Sequence, residues 1–149
     1  MLIELFLATT LQMHGESQPE RFELAGAYIG MPYADLHRTF PGMTCNVSCV
    51  DETATHAGES GRLWVGIGNG VINQFMFVFE PSLNNTQVQA IRQHYVSKYG
   101  QTMHATENGC EVWRRASGKI VLCLRKDKPY TYWDDENFMS AKSIIPRDA

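Results

Sequence analysis

Four cysteines and five histidines are the side chains of this 149-residue chain best suited to chemistry at neutral pH. Cys45-x3-Cys49 with His56 beyond it offers three soft ligands, and a tetrahedral zinc site would need one more. Structural zinc sites draw on two close pairs, however, and twelve residues lie between Cys110 and Cys123, so no metal is expected. The same residues would also suit a thiolate–imidazole pair. A small hydrolase or thiol enzyme using Cys45 or Cys49 with His56 is therefore the alternative functional reading. No local signature of a cysteine nucleophile surrounds either residue, and His14, His37, His56, His94 and His104 make chance pairings easy. Asp134-Asp135-Glu136 lacks the spaced ligands of a calcium loop and reads as a solvated acidic turn. Gly66-x-Gly68-x-Gly70 has no helix N-terminus after it, so it is no phosphate cradle. No catalytic residues and no cofactor emerge from this inventory.

An even number of cysteines in two local groups, Cys45 with Cys49 and Cys110 with Cys123, suits a disulfide framework in an oxidising compartment, with three pairings open. A second hairpin turning over residues 115–118 places Cys110 directly opposite Cys123, and a bond between those two is predicted. The competing reading makes them small buried hydrophobes in a reduced protein.

The element that must position everything else is the stretch 62–80. Two β-rich runs flank Asn69-Gly70, and a type I′ turn needs positive φ at both central residues. A regular hairpin on that turn sets Ile67 against Ile72, Val65 against Gln74, Trp64 against Phe75 and Leu63 against Met76. One face then carries Leu63, Val65, Ile67, Ile72, Met76 and Val78, and the other Trp64, Phe75, Phe77 and Phe79. The aromatic face, with the polar stretch 51–61 as a neighbouring loop, is the expected binding surface. The rival account buries these rings under the N-terminal segment.

Around this hairpin, 22–30 reads as one short strand, and Pro32 opens a helix over 33–39 that buries Leu36 and Phe40. A short strand follows over 44–49. Thr86-Gln-Val-Gln89 has the capping-box pattern, and Val88, Ile91, Tyr95 and Tyr99 recur at helical spacing as far as Gly100. That stripe should lie on the Leu63/Val65/Ile67 face. Residues 111–115 and 119–125 form the second hairpin, with Trp113, Val121 and Leu122 in the core, and 131–133 is a last strand. The result is an α+β fold, β-α-β-β-α-β-β: a single-layer antiparallel sheet with two helices packed on one face. A ferredoxin-like arrangement is the alternative. Residues 1–18 read as a signal remnant or N-terminal segment, and 19–149 as a single α+β domain.

A net charge of −3 with no basic run implies no nucleic-acid surface, and no stretch approaches a membrane span. The segment Leu24-Ala-Gly-Ala-Tyr-Ile-Gly-Met-Pro-Tyr-Ala-Asp-Leu-His-Arg-Thr-Phe-Pro resembles the opening of many small exported bacterial proteins. These are domains like the β-lactamase inhibitor protein and the small lipoprotein of outer-membrane assembly. Gly30, Met31, Asp35, Leu36 and Phe40 carry the likeness, and Lys98-Tyr99-Gly100 looks like the end of the second helix in such domains. The resemblance implies a periplasmic or secreted module that binds another protein, inhibiting or assembling it, without catalysis.

Overall fold

The computed structural model describes residues 21–102, 104–105, 109–115 and 118–134; the segment 1–18 and the pair Asp135 and Glu136 lie outside the described residues. The described residues open on a hairpin of two-residue strands, β1 (Glu23–Leu24) and β2 (Ala27–Tyr28), rather than one strand over 22–30. Ala25 and Gly26 both take positive φ, 55° and 94°, and that turn reverses the chain at once. Helix α1 (Tyr33–Thr39) follows Pro32 and buries Leu36, with Phe40 buried just beyond it. A ferredoxin-like sheet would include the strand that leads into the first helix. Here that strand pairs only with its hairpin mate, outside the main sheet.

The main sheet has eight antiparallel strands among the described residues, in the order β3-β4-β5-β6-β10-β9-β8-β7. These are β3 (Thr44–Cys45), β4 (Cys49–His56), β5 (Glu59–Gly68), β6 (Val71–Phe79), β7 (His104–Ala105), β8 (Cys110–Arg115), β9 (Gly118–Leu124) and β10 (Pro129–Asp134). The expected loop over 51–61 is instead most of the β4–β5 hairpin, which turns at Ala57-Gly58 with φ of 51° and 81°. Its polar residues are the solvent-facing half of a strand pair. A polar, Thr-rich composition does not distinguish that from a loop.

Helix α2 (Asn85–Tyr99) crosses from β6 to the second half of the sheet. Its capping box is Asn84 with Gln87, two residues before the expected Thr86 and Gln89; Asn84 accepts from the Gln87 N–H and the Gln87 side chain accepts from the Asn84 N–H. Ile91, Tyr95 and Tyr99 are buried along one stripe. At the other end Trp113 Nε1 donates to Gly100 O at 2.7 Å and Arg115 to Tyr99 O at 2.9 Å, satisfying carbonyls the helix leaves open.

The central hairpin turns at Asn69-Gly70, with φ of 53° and 77°, and Ile67 pairs with Ile72 as expected. Beyond that pair the register slips. Gly66 stands opposite Gln74, Trp64 opposite Met76 and Leu63 opposite Phe77, so Asn73 is the extra residue of a β-bulge. Gly66 and Gly68 make room for it: a Cβ on Gly68 would overlap the Asn73 amide. Because side chains alternate with period two, a one-residue slip turns β6 over relative to β5 from Gln74 to Phe79. Phe75, Phe77 and Phe79 therefore share a face with Leu63 and Val65, and Trp64 shares the other with Met76 and Val78.

The face bearing the three phenylalanines packs with Leu36, Ile91, Tyr95 and Tyr99 of the helices, and with Trp113, Ile120, Leu122 and Trp133, in the principal core. Arg92 of α2 also reaches Glu111 of β8 on this side, at 2.7 Å. A second cluster, Cys110, Val112, Val121 and Cys123 with Tyr130 and Tyr132 against it, lies on the opposite face and contains no helical residue among the described residues.

Candidate functional site

The expected aromatic surface of Trp64, Phe75, Phe77 and Phe79 does not exist as one face. Phe75 and Phe77 are fully buried and Phe79 is 1% exposed, all three within the principal core beneath α2 and the β1–β2 hairpin. The bulge at Asn73 is the physical reason. Trp64 alone of the four lies on the other face of the hairpin, the outer face, and is half-buried.

The strand ladders build that face in rows. Val50 pairs with Trp64, Trp64 with Met76 and Met76 with Tyr132, while Arg62 pairs with Val78 and Val78 with Tyr130. Tyr130 and Tyr132 are half-buried, with ring centroids 6.0 Å apart and planes 23° from parallel. Burial raises the Tyr132 phenol above its ordinary pKa, and neighbouring Tyr130 and Asp134 add to the rise, so it stays a neutral hydrogen-bond donor. Cys123 sits beside Tyr130, and its disulfide to Cys110 ties β8 to β9 on this face.

At the β4–β5 end of the face, Glu52, Arg62, Trp64, Val78, Phe79, Glu80 and Pro81 line a cavity of about 210 Å³. Arg62 Nε donates to Glu52 Oε2 at 2.5 Å, and its guanidinium carbon lies 5.7 Å from the Trp64 ring centroid. Trp64 Nε1 is shielded from solvent yet has no hydrogen-bond acceptor among the described residues. Removing an N–H from water without a partner costs about 1–3 kcal/mol, which makes this donor conspicuous.

The thiol and metal chemistry weighed for Cys45, Cys49 and His56 is not assembled. All four cysteines are in disulfides, Cys45–Cys49 across the β3–β4 turn and Cys110–Cys123 across β8–β9 in the expected register. Two such bonds suit an oxidising environment. His56 is buried at the end of β4. It accepts from the Ala25 N–H and meets the Tyr95 hydroxyl at 2.8 Å. Burial, and to a lesser degree His94 and Lys98, lower its pKa to about 3. Among the described residues no three of His, Cys, Asp and Glu are grouped to hold a metal, and no helix is long and apolar enough to cross a membrane. His37 packs edge-on against Tyr33 at 4.5 Å on the exposed side of α1.

Sequence reasoning missed Tyr130, Tyr132, Arg62 and Glu52 as parts of one surface. The alternation Tyr130-Thr131-Tyr132-Trp133 was the available signal, since it separates an outer tyrosine pair from the buried Thr131 and Trp133. No protein-family model, no curated protein and no solved structure matches the chain.

Proposed function

We propose that the chain is a non-enzymatic binding module of the bacterial envelope, periplasmic or secreted, that docks another protein on the outer face of its sheet. We read the eight strands as a single layer with both helices on one side, which leaves the half-buried Trp64 and Tyr132, flanking the buried Met76, for the partner. The observation that carries this reading is the unsatisfied N–H of half-buried Trp64, shielded at the wall of a cavity on a face whose cluster contains no helical residue among the described residues. Aromatic anchors on a rigid sheet lose little side-chain freedom on binding, and a partner carbonyl at Trp64 would supply the missing acceptor. Two disulfides support the exported setting. The resemblance carried by Gly30, Met31, Asp35, Leu36 and Phe40 points to the same class of protein.

A photo-crosslinking residue placed at Tyr132, in chain added to an envelope extract of the source cells, tests the proposal. A discrete crosslinked partner, lost when Trp64→Ala is added, is the expected result. Crosslinks unaffected by Trp64→Ala, or appearing only from a residue on the exposed side of α2 such as Gln93, would overturn it. A single fast-alkylating thiol in the native protein would instead favour the Cys/His enzyme.

A further inference from the structure

A chain of four hydrogen bonds runs through the core from the β1–β2 turn to β9. The Ala25 N–H donates to His56 Nδ1 at 3.1 Å, and His56 Nε2 meets the Tyr95 hydroxyl at 2.8 Å. Tyr95 donates to Thr131 Oγ1 at 2.8 Å, and Thr131 donates to Val121 O at 2.9 Å. Both ends of this chain have a fixed polarity, because a backbone N–H can only donate and a carbonyl oxygen can only accept. His56 is therefore the neutral tautomer with its proton on Nε2, and the Nδ1 lone pair holds Ala25. A second proton on the ring has one place to go. It must sit on Nδ1, head to head with the Ala25 N–H, while Nε2–H and every bond beyond it remain intact.

We propose that His56 is an acid-released clasp: protonation at Nδ1 frees the β1–β2 hairpin from the end of β4 while the eight-stranded sheet stays folded. The hairpin is attached in a way that permits this. Its ladder is its own, outside the main sheet, and the first backbone bond to the sheet after it is Gly30 N–H to Ile72 O at 2.7 Å. The hairpin puts Leu24 and Ala27 into the core, and Phe22 just before it packs against Phe75 and Tyr99, both at 5.5 Å, and stacks on Trp133 at 6.0 Å. Release uncovers that aromatic cleft.

The groups facing His56 set how hard the clasp is to protonate. From α2, the His94 ring lies 5.9 Å away and Lys98 adds a second cation; both oppose a charge on His56, as does burial. From β6, Phe77 and Phe79 offer only rings, at 5.3 and 6.1 Å. Glu59 stands opposite His56 in the β4–β5 ladder, and its carboxylate accepts from Gln87 Nε2 at 3.0 Å. On the hairpin itself Arg21 and Glu23 pair with each other at 2.7 Å on the surface. In the released state His56 regains an ordinary imidazole pKa. The opening equilibrium then grows about tenfold per pH unit below roughly pH 6.5.

Amide hydrogen exchange of the full chain between pH 7 and pH 4 tests the clasp. Protection at Ala25 and across β2 should fall about 100-fold from pH 6 to pH 4, and should lie below that of Val65 and Phe77 at every pH. In His56→Gln, whose amide still accepts and donates but does not titrate, hairpin protection should be flat over that range. A pH slope that survives in His56→Gln would move the effect to the Arg21–Glu23 pair and overturn the proposal. If that variant does not fold, the wild-type chain alone decides. Hairpin protection independent of pH, or equal to that of Val65 and Phe77 throughout, overturns it.

Discussion

Trp64→Phe tests whether the buried indole N–H is truly orphaned. The substitution keeps a ring over the Trp64 site and deletes only the nitrogen with its proton and part of the apolar surface. Relief of the unpaired donor is worth about 1–3 kcal/mol. Against it stands the smaller ring, which loses about 0.5 kcal/mol of apolar burial at a half-buried position. The weaker partner it offers to the Arg62 guanidinium costs about another 0.5 kcal/mol. The balance is a stabilisation of about 1 kcal/mol, or roughly 2–4 °C in Tm for a domain of this size. Urea unfolding followed by far-ultraviolet circular dichroism at pH 7.5 reads it, since the signal does not depend on the deleted indole. Phe75→Ala, on the other face of the same hairpin, is the control and should lose about 3–5 kcal/mol because Phe75 is fully buried. If Trp64→Phe instead loses more than about 1 kcal/mol, the N–H has a partner in solution and the reasoning fails. Stabilisation combined with weaker partner capture would mark Trp64 as a residue kept for binding at a cost in stability.

Between pH 7.5 and 5.0 the protein should lose about 2 kcal/mol of stability through His56. The unfolded chain takes up a proton near pH 6.5 and the native state only near pH 3, so falling pH favours unfolding across that window. His56→Gln should remove the slope in urea titrations, and a native state that grows more stable below pH 6.5 would refute the assignment. Cys110 and Cys123 close a longer loop than Cys45 and Cys49, with separations of 13 and 4 residues. Replacing each pair by serine should therefore cost about 3 and about 2 kcal/mol, read as urea midpoints, and the reverse order would show that loop closure does not govern these bonds.

The helices and turns were legible because their signals are local. Pro32 at the start of α1, Gly100 closing α2 and Asn69-Gly70 at the hairpin tip each act through their own backbone. The Cys110–Cys123 register was legible for the same reason, since the short turn over 115–118 leaves little freedom. The facing of β6 was not. It depends on Asn73 bulging out, and the only trace in the sequence is two glycines opposite an asparagine, which also fit a plain turn with open space above it. One residue of slip exchanged the core and the surface of β6 from Gln74 to Phe79 and carried the candidate site with it. His56 was weighed as a partner for Cys45 and Cys49 because they lie near it in the sequence, whereas the fold brings Ala25 and Tyr95 to its two nitrogens from 31 and 39 residues away.

The two faces of the sheet differ in how they treat buried polar groups, and the proposed docking on the outer face rests on that difference. On the helix side every polar atom of His56, Tyr95 and Thr131 lies in a chain whose proton positions are forced from both ends. Such a network favours one arrangement of hairpin, helix and strands over near alternatives, because any slip strands a donor in the core. On the outer side a comparable donor, Trp64 Nε1, is left without an acceptor beside a cavity. A fold able to satisfy a four-bond relay across five segments faces no geometric obstacle to pairing one indole N–H with a carbonyl or a glutamine. Under the proposed docking, a donor that is destabilising in the free protein becomes favourable once a bound chain presents an oxygen to it. The cost of the free state is then recovered as affinity, and a partner lacking an acceptor at that point is rejected by about the same margin.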